Sequence, residues 1–300
     1  MKIILSDQKL KLDLNIEGVS SKEITLKTMG AYEHNDEVVA IVGSRAMAIQ
    51  CADMDFPSLR FFQLMSAGFD GVPVEKFKQK NVVVSNAANV YGIPIAETIV
   101  FGMLEIAKRI HVNPENRFPR ITRGYENYIT ELYEKNVVIL GIGNIGTELA
   151  KRLTGFGMHI TGYARHKREN PWVKMVVANK EELFASLNKA DYVVSTLPDN
   201  EDSRGFISEE FFSAMKKSAY FINVGRRKTI NEEALYRALK EREIQGAALD
   251  MFEKLPNPVT NKFRRLNNVI VWPGLTAISR ETNDRLRKVV VRNLSDANII

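Results

Sequence analysis

The stretch NVVILGIGNIGTELAKRLTGF, residues 136–156, decides the reading of this chain. A short apolar run, NVVIL, runs directly into three glycines, Gly141, Gly143 and Gly146, and then into the helical-looking TELAKRLTGF. The chemistry behind a GxGxxG spacing is specific. The first glycine makes a tight turn, the second lets a pyrophosphate approach the backbone, and the third lets the helix pack on the strand, with unpaired N–H groups of the helix N-terminus facing the anion. Asn144 and Ile145 fill the two positions between the second and third glycines. The spacing alone is a weak signal. Strand, glycines, helix and a second strand, HITGY at 159–163, follow in order here, which favours dinucleotide binding over a merely structural glycine turn.

Outward from this stretch, the apolar runs DYVVST (191–196), AYFINV (219–224), GAALDM (246–251) and NVIVW (268–272) alternate with helical stretches such as EELFASLNKA and NEEALYRALKER. Such alternation predicts an α/β, doubly wound, mostly parallel sheet. The first ninety residues carry shorter strand candidates, IIL, EITLKT, EVVAIV, LRFFQLM and NVVVS, and read as a second α/β unit with less distinct helices. Between the two lies a strong helix from Pro94 to about Ile110, stopped by Asn113-Pro114 and read as a crossover.

Three hundred residues, 45% hydrophobic and 26% charged, leave room for two domains and a sizeable core. The net charge of +6 comes from scattered basic residues, which points weakly to small anionic ligands and away from nucleic acid. The single cysteine, Cys51, excludes an internal disulfide framework, suggests no metal site, and fits a cytoplasmic setting. MKIILSDQKLKLDL lacks a signal-peptide core, and Glu97 and Glu105 interrupt IPIAETIVFGMLEIA, the best candidate for a membrane span, so no membrane association is expected.

The second strand ends in GYARHKR, 162–168. In NAD-specific sites a carboxylate at this strand end accepts hydrogen bonds from the adenosine ribose. Here the position is Ala164, followed by Arg165, His166, Lys167 and Arg168. A basic turn attracts the 2′-phosphate that a carboxylate would repel, so NADP(H) is the preferred cofactor and NAD(H) the second. Elsewhere in a chain the same turn would read as a solvated surface.

The remaining motifs resemble those of the D-isomer-specific 2-hydroxyacid dehydrogenases, the family of glycerate and phosphoglycerate dehydrogenases and glyoxylate reductases. The resemblance runs through SAGFD (66–70), VVVSNAANVYGIPIAE (82–97), the glycine stretch, DYVVSTLP (191–198), NVGRRKTINEEAL (223–235) and GAALDMFEKLP (246–256), and covers about residue 60 to the end. It implies a Rossmann nucleotide-binding domain, 95–280, inserted in a flavodoxin-like substrate domain, 1–94 plus 281–300, with substrate in the cleft between them. It implies a homodimer formed through the crossover helix. Ala67 and Gly68 match the loop whose amides receive the substrate carboxylate. Thr196, Leu197, Pro198, Val224 and Gly225 match positions along the cofactor, and Asp250 matches the residue that contacts the nicotinamide carboxamide. Arg226 matches the catalytic arginine, whose fork holds carboxylate and carbonyl oxygens together.

Two positions depart from that pattern. Where the family has a histidine after its last strand, this chain has Gly274, and where it has the partnering glutamate, this chain has Leu255; no histidine follows His166. The double change is coherent, because a half-buried carboxylate without its imidazole would be costly. His34, His111, His159 and His166 read as structural or cofactor-facing. Lys254, Tyr91 and Thr276 are weak substitutes, leaving water as the default proton donor. Loss of a general acid slows such a reaction about 10²- to 10⁴-fold, so hydride transfer is impaired rather than forbidden. Two functions follow: NADPH-linked reduction of a small 2-oxo acid such as glyoxylate or hydroxypyruvate, and, as the alternative, a non-catalytic NADP(H)-binding sensor or regulatory protein.

Overall fold

The computed structural model describes residues 2–6, 24–28, 35–109, 129–167, 169–250, 261–272, 274 and 276–300. The chain divides into two compact units, Met1–Tyr91 with Ser279–Ile300, and Gly92–Ile278.

The first unit holds β1 (Lys2–Ser6), β2 (Ile24–Thr28), β3 (Val38–Gly43), α1 (Arg45–Cys51), β4 (Phe61–Leu64), α2 (Val74–Gln79) and β5 (Val83–Ser85). Its strands are parallel throughout, in the order β2-β1-β3-β4-β5. This is the flavodoxin-like order. Helices on both faces bury both sides of the sheet, so β3 reads as a continuous apolar run and β4 is buried along its length, with Gln63 as its polar residue. Alternate residues serve two cores: Phe62, Ile41 and Leu5 pack with Met47, Cys51 and Phe77, whereas Phe61, Val42 and Ile4 pack on the opposite face. Burial pushes the Cys51 thiol up to about 12, so it is inert packing material.

The second unit opens with α3 (Gly92–Lys108), followed by β6 (Asn136–Leu140), α4 (Asn144–Thr154), β7 (His159–Tyr163), β8 (Met175–Val177), α5 (Lys180–Leu187), β9 (Tyr192–Ser195), α6 (Glu209–Ser213), β10 (Tyr220–Asn223), α7 (Glu232–Lys240), β11 (Gly246–Leu249) and β12 (Val269–Val271). All seven strands are parallel, in the order β12-β11-β10-β9-β6-β7-β8. The order reverses between β6 and β9. In a doubly wound sheet that switch point leaves a crevice at the carboxyl ends of the strands, where ligands bind. The helix α3 begins two residues ahead of Pro94, which still occupies the first turn, where its missing N–H costs nothing. His111 and Asn113-Pro114 lie outside the described residues. The three-residue strand β8 is too short to stand out as an apolar run in the sequence.

The last helix, α8 (Arg280–Asp296), returns to the first unit, capped by Ser279, whose Oγ accepts the Thr282 N–H at 3.1 Å. Its Leu286, Val290 and Leu294 complete the core around Ile4, Ala40, Val42 and Phe61. Among the described residues no helix is long and apolar enough to cross a membrane.

Candidate cofactor and active site

The glycine loop after β6 separates its three glycines by what surrounds them. Gly141 has φ +91°, a left-handed conformation that favours glycine, and its N–H donates to Tyr163 O at 2.9 Å. A Cβ there would stand 2.9 Å from Thr196 Oγ1, which itself donates to Gly141 O at 2.8 Å and ties β9 to the loop. A Cβ on Gly146 would lie 2.1 Å from Gly141 O, so this residue sets how closely α4 packs on the turn. Among the described residues a Cβ on Gly143 would meet nothing within 4 Å. Gly143 is also the N-cap of α4, and as a glycine it brings no capping side chain to that helix start. An open cradle at a helix N-terminus fits the pyrophosphate of a dinucleotide.

Beside the cradle lies a cavity of about 440 Å³ lined by Gly141, Ile142, Gly143, Tyr163, Ala164, Arg165, His166, Leu197, Pro198, Asn200, Asp202, Ser203 and Phe206. It brings together seven of the residues expected from sequence: Gly141, Gly143, Ala164, Arg165, His166, Leu197 and Pro198. The basic turn is thus on the cavity wall. Lys167 is not; its Nζ pairs with Glu182 Oε1 at 2.8 Å and lines a separate hollow. Asn144, Ile145, Gly146, Thr196, Val224, Gly225, Arg226 and Asp250 likewise lie off this wall. Arg168 is outside the described residues. Tyr163, Asn200, Asp202, Ser203 and Phe206 line the cavity without having been singled out from sequence. Tyr163 and Phe206 stack with ring centroids 5.2 Å apart, an apolar wall assembled from residues far apart in the chain.

At the ends of β9 and β10 the backbone is drawn tight. A Cβ on Gly225 would meet Leu197 O at 2.8 Å, and the Arg226 N–H donates to Leu197 O at 3.2 Å. Thr229 Oγ1 donates to Arg226 O at 2.6 Å, so the half-buried Arg226 starts from a fixed main chain. Val224 is buried behind it, its N–H donating to Ser195 O. Two buried polar atoms, Ser195 Oγ and Asn223 Nδ2, have no hydrogen-bond partner among the described residues. The two residues are paired in register at the carboxyl edge of the sheet.

Asp250, just past β11, is 3% exposed. Its Oδ1 accepts the Gly274 N–H at 2.9 Å and its Oδ2 accepts the Thr276 hydroxyl at 2.5 Å. Burial raises its pKa above the usual carboxylate range, and these two hydrogen bonds pull the other way. Gly274 has φ +78°, a conformation in which glycine is at ease and other residues are strained. Leu255 and Lys254 lie outside the described residues.

In the first unit, Ser66 Oγ donates to Gly68 O at 2.9 Å and Asn86 Nδ2 to Ala67 O at 2.7 Å. These bonds occupy the loop carbonyls, while among the described residues neither the Ala67 nor the Gly68 amide donates within the chain. The Tyr91 hydroxyl donates to Met65 O, and burial raises its pKa.

Residues 101–275 match the model of the D-isomer specific 2-hydroxyacid dehydrogenase NAD binding domain, more than half of the chain. The chain belongs to the D-isomer specific 2-hydroxyacid dehydrogenase family. Among its relatives in that family are a glyoxylate reductase of Korarchaeum cryptofilum, 31% identical over 79% of this chain and 73% of the relative, and a glyoxylate/hydroxypyruvate reductase B of Serratia proteamaculans, 31% identical over 85% of this chain and 79% of the relative. A solved NADPH-dependent glyoxylate/hydroxypyruvate reductase from Sinorhizobium meliloti, in complex with NADP and malonate, superposes with TM-score 0.78 at 25% identity, covering 98% of this chain and 92% of that one. As a 2-hydroxyacid dehydrogenase the protein is an oxidoreductase, and these relationships favour that reading over a non-catalytic sensor.

The two described histidines of this 2-hydroxyacid dehydrogenase stand away from Asp250 and Gly274. His159 opens β7 at the opposite, amino edge of the sheet. His166 follows β7, which lies four strand positions from β11, roughly 19 Å at the usual strand spacing. His34 and His111 are outside the described residues.

Proposed function

We propose that this chain uses NADPH to reduce a small 2-oxo acid of the glyoxylate or hydroxypyruvate class to its 2-hydroxy acid, with NAD(H) as the lesser cofactor. The observation that carries the reading is the cavity beside the glycine cradle, on whose wall Arg165 and His166 stand and Ala164 replaces the carboxylate of an NAD-specific site. The reductase names of the relatives, and the NADP held by the Sinorhizobium meliloti enzyme, support the same assignment.

A bound nicotinamide supplies the hydride; the rest falls to the chain. The loop Gly141–Gly146 and the start of α4 receive the pyrophosphate, with Thr196, Leu197 and Pro198 alongside. Asp250 and the Val224–Gly225 turn belong to the nicotinamide end. Arg226 engages the substrate carboxylate and carbonyl oxygen and stabilises negative charge as it develops on that oxygen. By the family resemblance, the Ala67 and Gly68 amides belong to a loop that receives a carboxylate. The alkoxide takes its proton from water, with the Thr276 and Tyr91 hydroxyls as weaker sources, because Gly274 and Leu255 stand where the resemblance places imidazole and carboxylate. Phe101, on α3 and 59% exposed, fits a helix that also packs against a second copy, so a homodimer is the proposed assembly.

The test is titration by nicotinamide fluorescence, NADPH against NADH, followed by turnover with a panel of 2-oxo acids. Tighter NADPH binding and NADPH oxidation with glyoxylate or hydroxypyruvate are expected. Binding without oxidation of any panel member would overturn the catalytic half, and equal affinities the cofactor half.

A further inference from the structure

The basic turn at the cavity is met by a carboxylate from another element. Asp202 sits on the loop between β9 and α6, and its Oδ2 lies 3.0 Å from Arg165 Nη1. Both residues line the cavity, and both side chains are about two-thirds exposed, 68% for Arg165 and 67% for Asp202. The loop beneath Asp202 is braced. The Asn200 N–H donates to Ser203 Oγ at 3.0 Å, the Ser203 N–H donates back to Asn200 Oδ1 at 3.0 Å, and Ser203 Oγ donates to Pro198 O at 2.5 Å. Tyr163, on the same wall, has its phenol pKa raised first by burial and then by the Asp202 charge, which agrees with a carboxylate held over the cavity.

We infer that Asp202 sets cofactor specificity by acting as an internal anion: it occupies Arg165, and a 2′-phosphate must displace it whereas an unphosphorylated ribose need not. The inference rests on the proposed NADP(H) reading of this cavity and adds a residue that works against the preference. A 2′-phosphate wins the exchange because an exposed Arg–Asp pair is weak, while a phosphate carries close to two negative charges and three acceptor oxygens for the guanidinium fork. The exchange still costs NADPH part of its advantage, through the broken ion pair and the like charge left nearby. NADH faces neither cost. Asp202 therefore narrows the gap between the two cofactors, and its charge, not its shape, is what matters.

The experiment compares the unsubstituted protein with Asp202→Asn and Arg165→Ala, measuring Kd for NADPH and NADH by nicotinamide fluorescence at low and high salt. Asp202→Asn, exposed and nearly isosteric, is expected to tighten NADPH by roughly three- to tenfold and leave NADH unchanged, an effect that shrinks as salt screens the pair. Arg165→Ala is expected to abolish the gain when combined with Asp202→Asn. Equal changes for both cofactors, or no tightening of NADPH, overturn the inference. Failure of the parent reading looks different: Arg165→Ala alone would leave the NADPH-to-NADH ratio unchanged. Should the unsubstituted protein show no preference while Asp202→Asn prefers NADPH, the inference stands and the cofactor half of the parent reading falls.

Discussion

A methyl group added at Gly143 and one added at Gly146 ask different things of the same loop. At Gly143 the backbone is extended, φ −81° and ψ −157°, and the space around a Cβ is open. Gly143→Ala is expected to leave the melting temperature within about 2 °C of the parent while weakening NADPH tenfold or more, because the methyl stands where pyrophosphate must approach. At Gly146 the methyl would collide with a main-chain oxygen that has no rotamer to change, so Gly146→Ala is expected to cost about 1–3 kcal/mol of stability as well as affinity. Calorimetry with and without NADPH separates the two; equal losses of stability would contradict the division of labour. The GxGxxG spacing makes these positions legible in sequence because each glycine answers a local requirement. Gly274 is different. Its sequence reads only as an absent histidine, whereas its φ of +78° shows a backbone shaped for glycine, with the N–H given to Asp250. Gly274→His should therefore lower stability by about 1–2 kcal/mol and fail by itself to raise turnover; a faster and equally stable variant would refute this.

At the scale of elements, the carboxyl edge of the sheet is held by a chain of contacts from β11 through Asp250 to Gly274 and Thr276, and on to α3, where Thr98 Oγ1 donates to Thr276 O at 3.5 Å. The parts of this chain are far apart in sequence, so the motif GAALDM signals a carboxylate but not that Thr276 closes on it. The same limit explains Asp202, which reads as one charge in a polar loop until β9 and β7 set it opposite Arg165. It also applies to α3 and β12: a Cβ on Gly102 would stand 2.4 Å from Trp272 Cζ2, a fit that no periodicity reports. Asp250 makes the chain of contacts pH-dependent. Its folded pKa is raised above the ordinary 3.8, so the native state holds a proton more tightly than the unfolded chain. Stability from this group is complete below that ordinary value and is lost as pH rises through the raised one. Asp250→Asn removes the titration. The melting temperature of the unsubstituted protein, taken relative to Asp250→Asn, is expected to fall as pH rises above the ordinary carboxylate range; a difference that stays constant as pH rises would show that the carboxyl is not perturbed.

For the whole molecule, the consequential fact is that the first unit is built from both ends of the chain. Strand order in the second unit follows from its regular βα alternation, since right-handed crossovers leave few choices once six strands are identified. The first unit gives the sequence less to work with: its strands are short, and the helix that completes its core lies some two hundred positions away. Asn293 Nδ2 donates to Gln63 Oε1 at 2.9 Å and to Ser85 Oγ at 3.1 Å, and the fully buried Gln63 would otherwise keep an unsatisfied carboxamide oxygen. Arg285 Nε donates to Val90 O at 3.1 Å. With Leu286, Val290 and Leu294, α8 contributes three apolar side chains worth roughly 1.5–3 kcal/mol each, a sum comparable with the 5–15 kcal/mol that holds a whole domain. Removing residues 280–300 should therefore unfold the first unit and spare the second, whose own core of Val138, Leu140, Val193, Phe221, Leu239 and Leu249 is untouched. Cys51 reports the outcome. In the intact chain it is 1% exposed with its thiol pushed up to about 12, and it should resist a thiol reagent for as long as the first unit stays folded. In the shortened chain it should react at the rate of an unfolded thiol, while NADPH still raises the melting temperature of what remains. A protected Cys51 after the deletion would mean that α8 is an accessory to the first unit instead of part of its core.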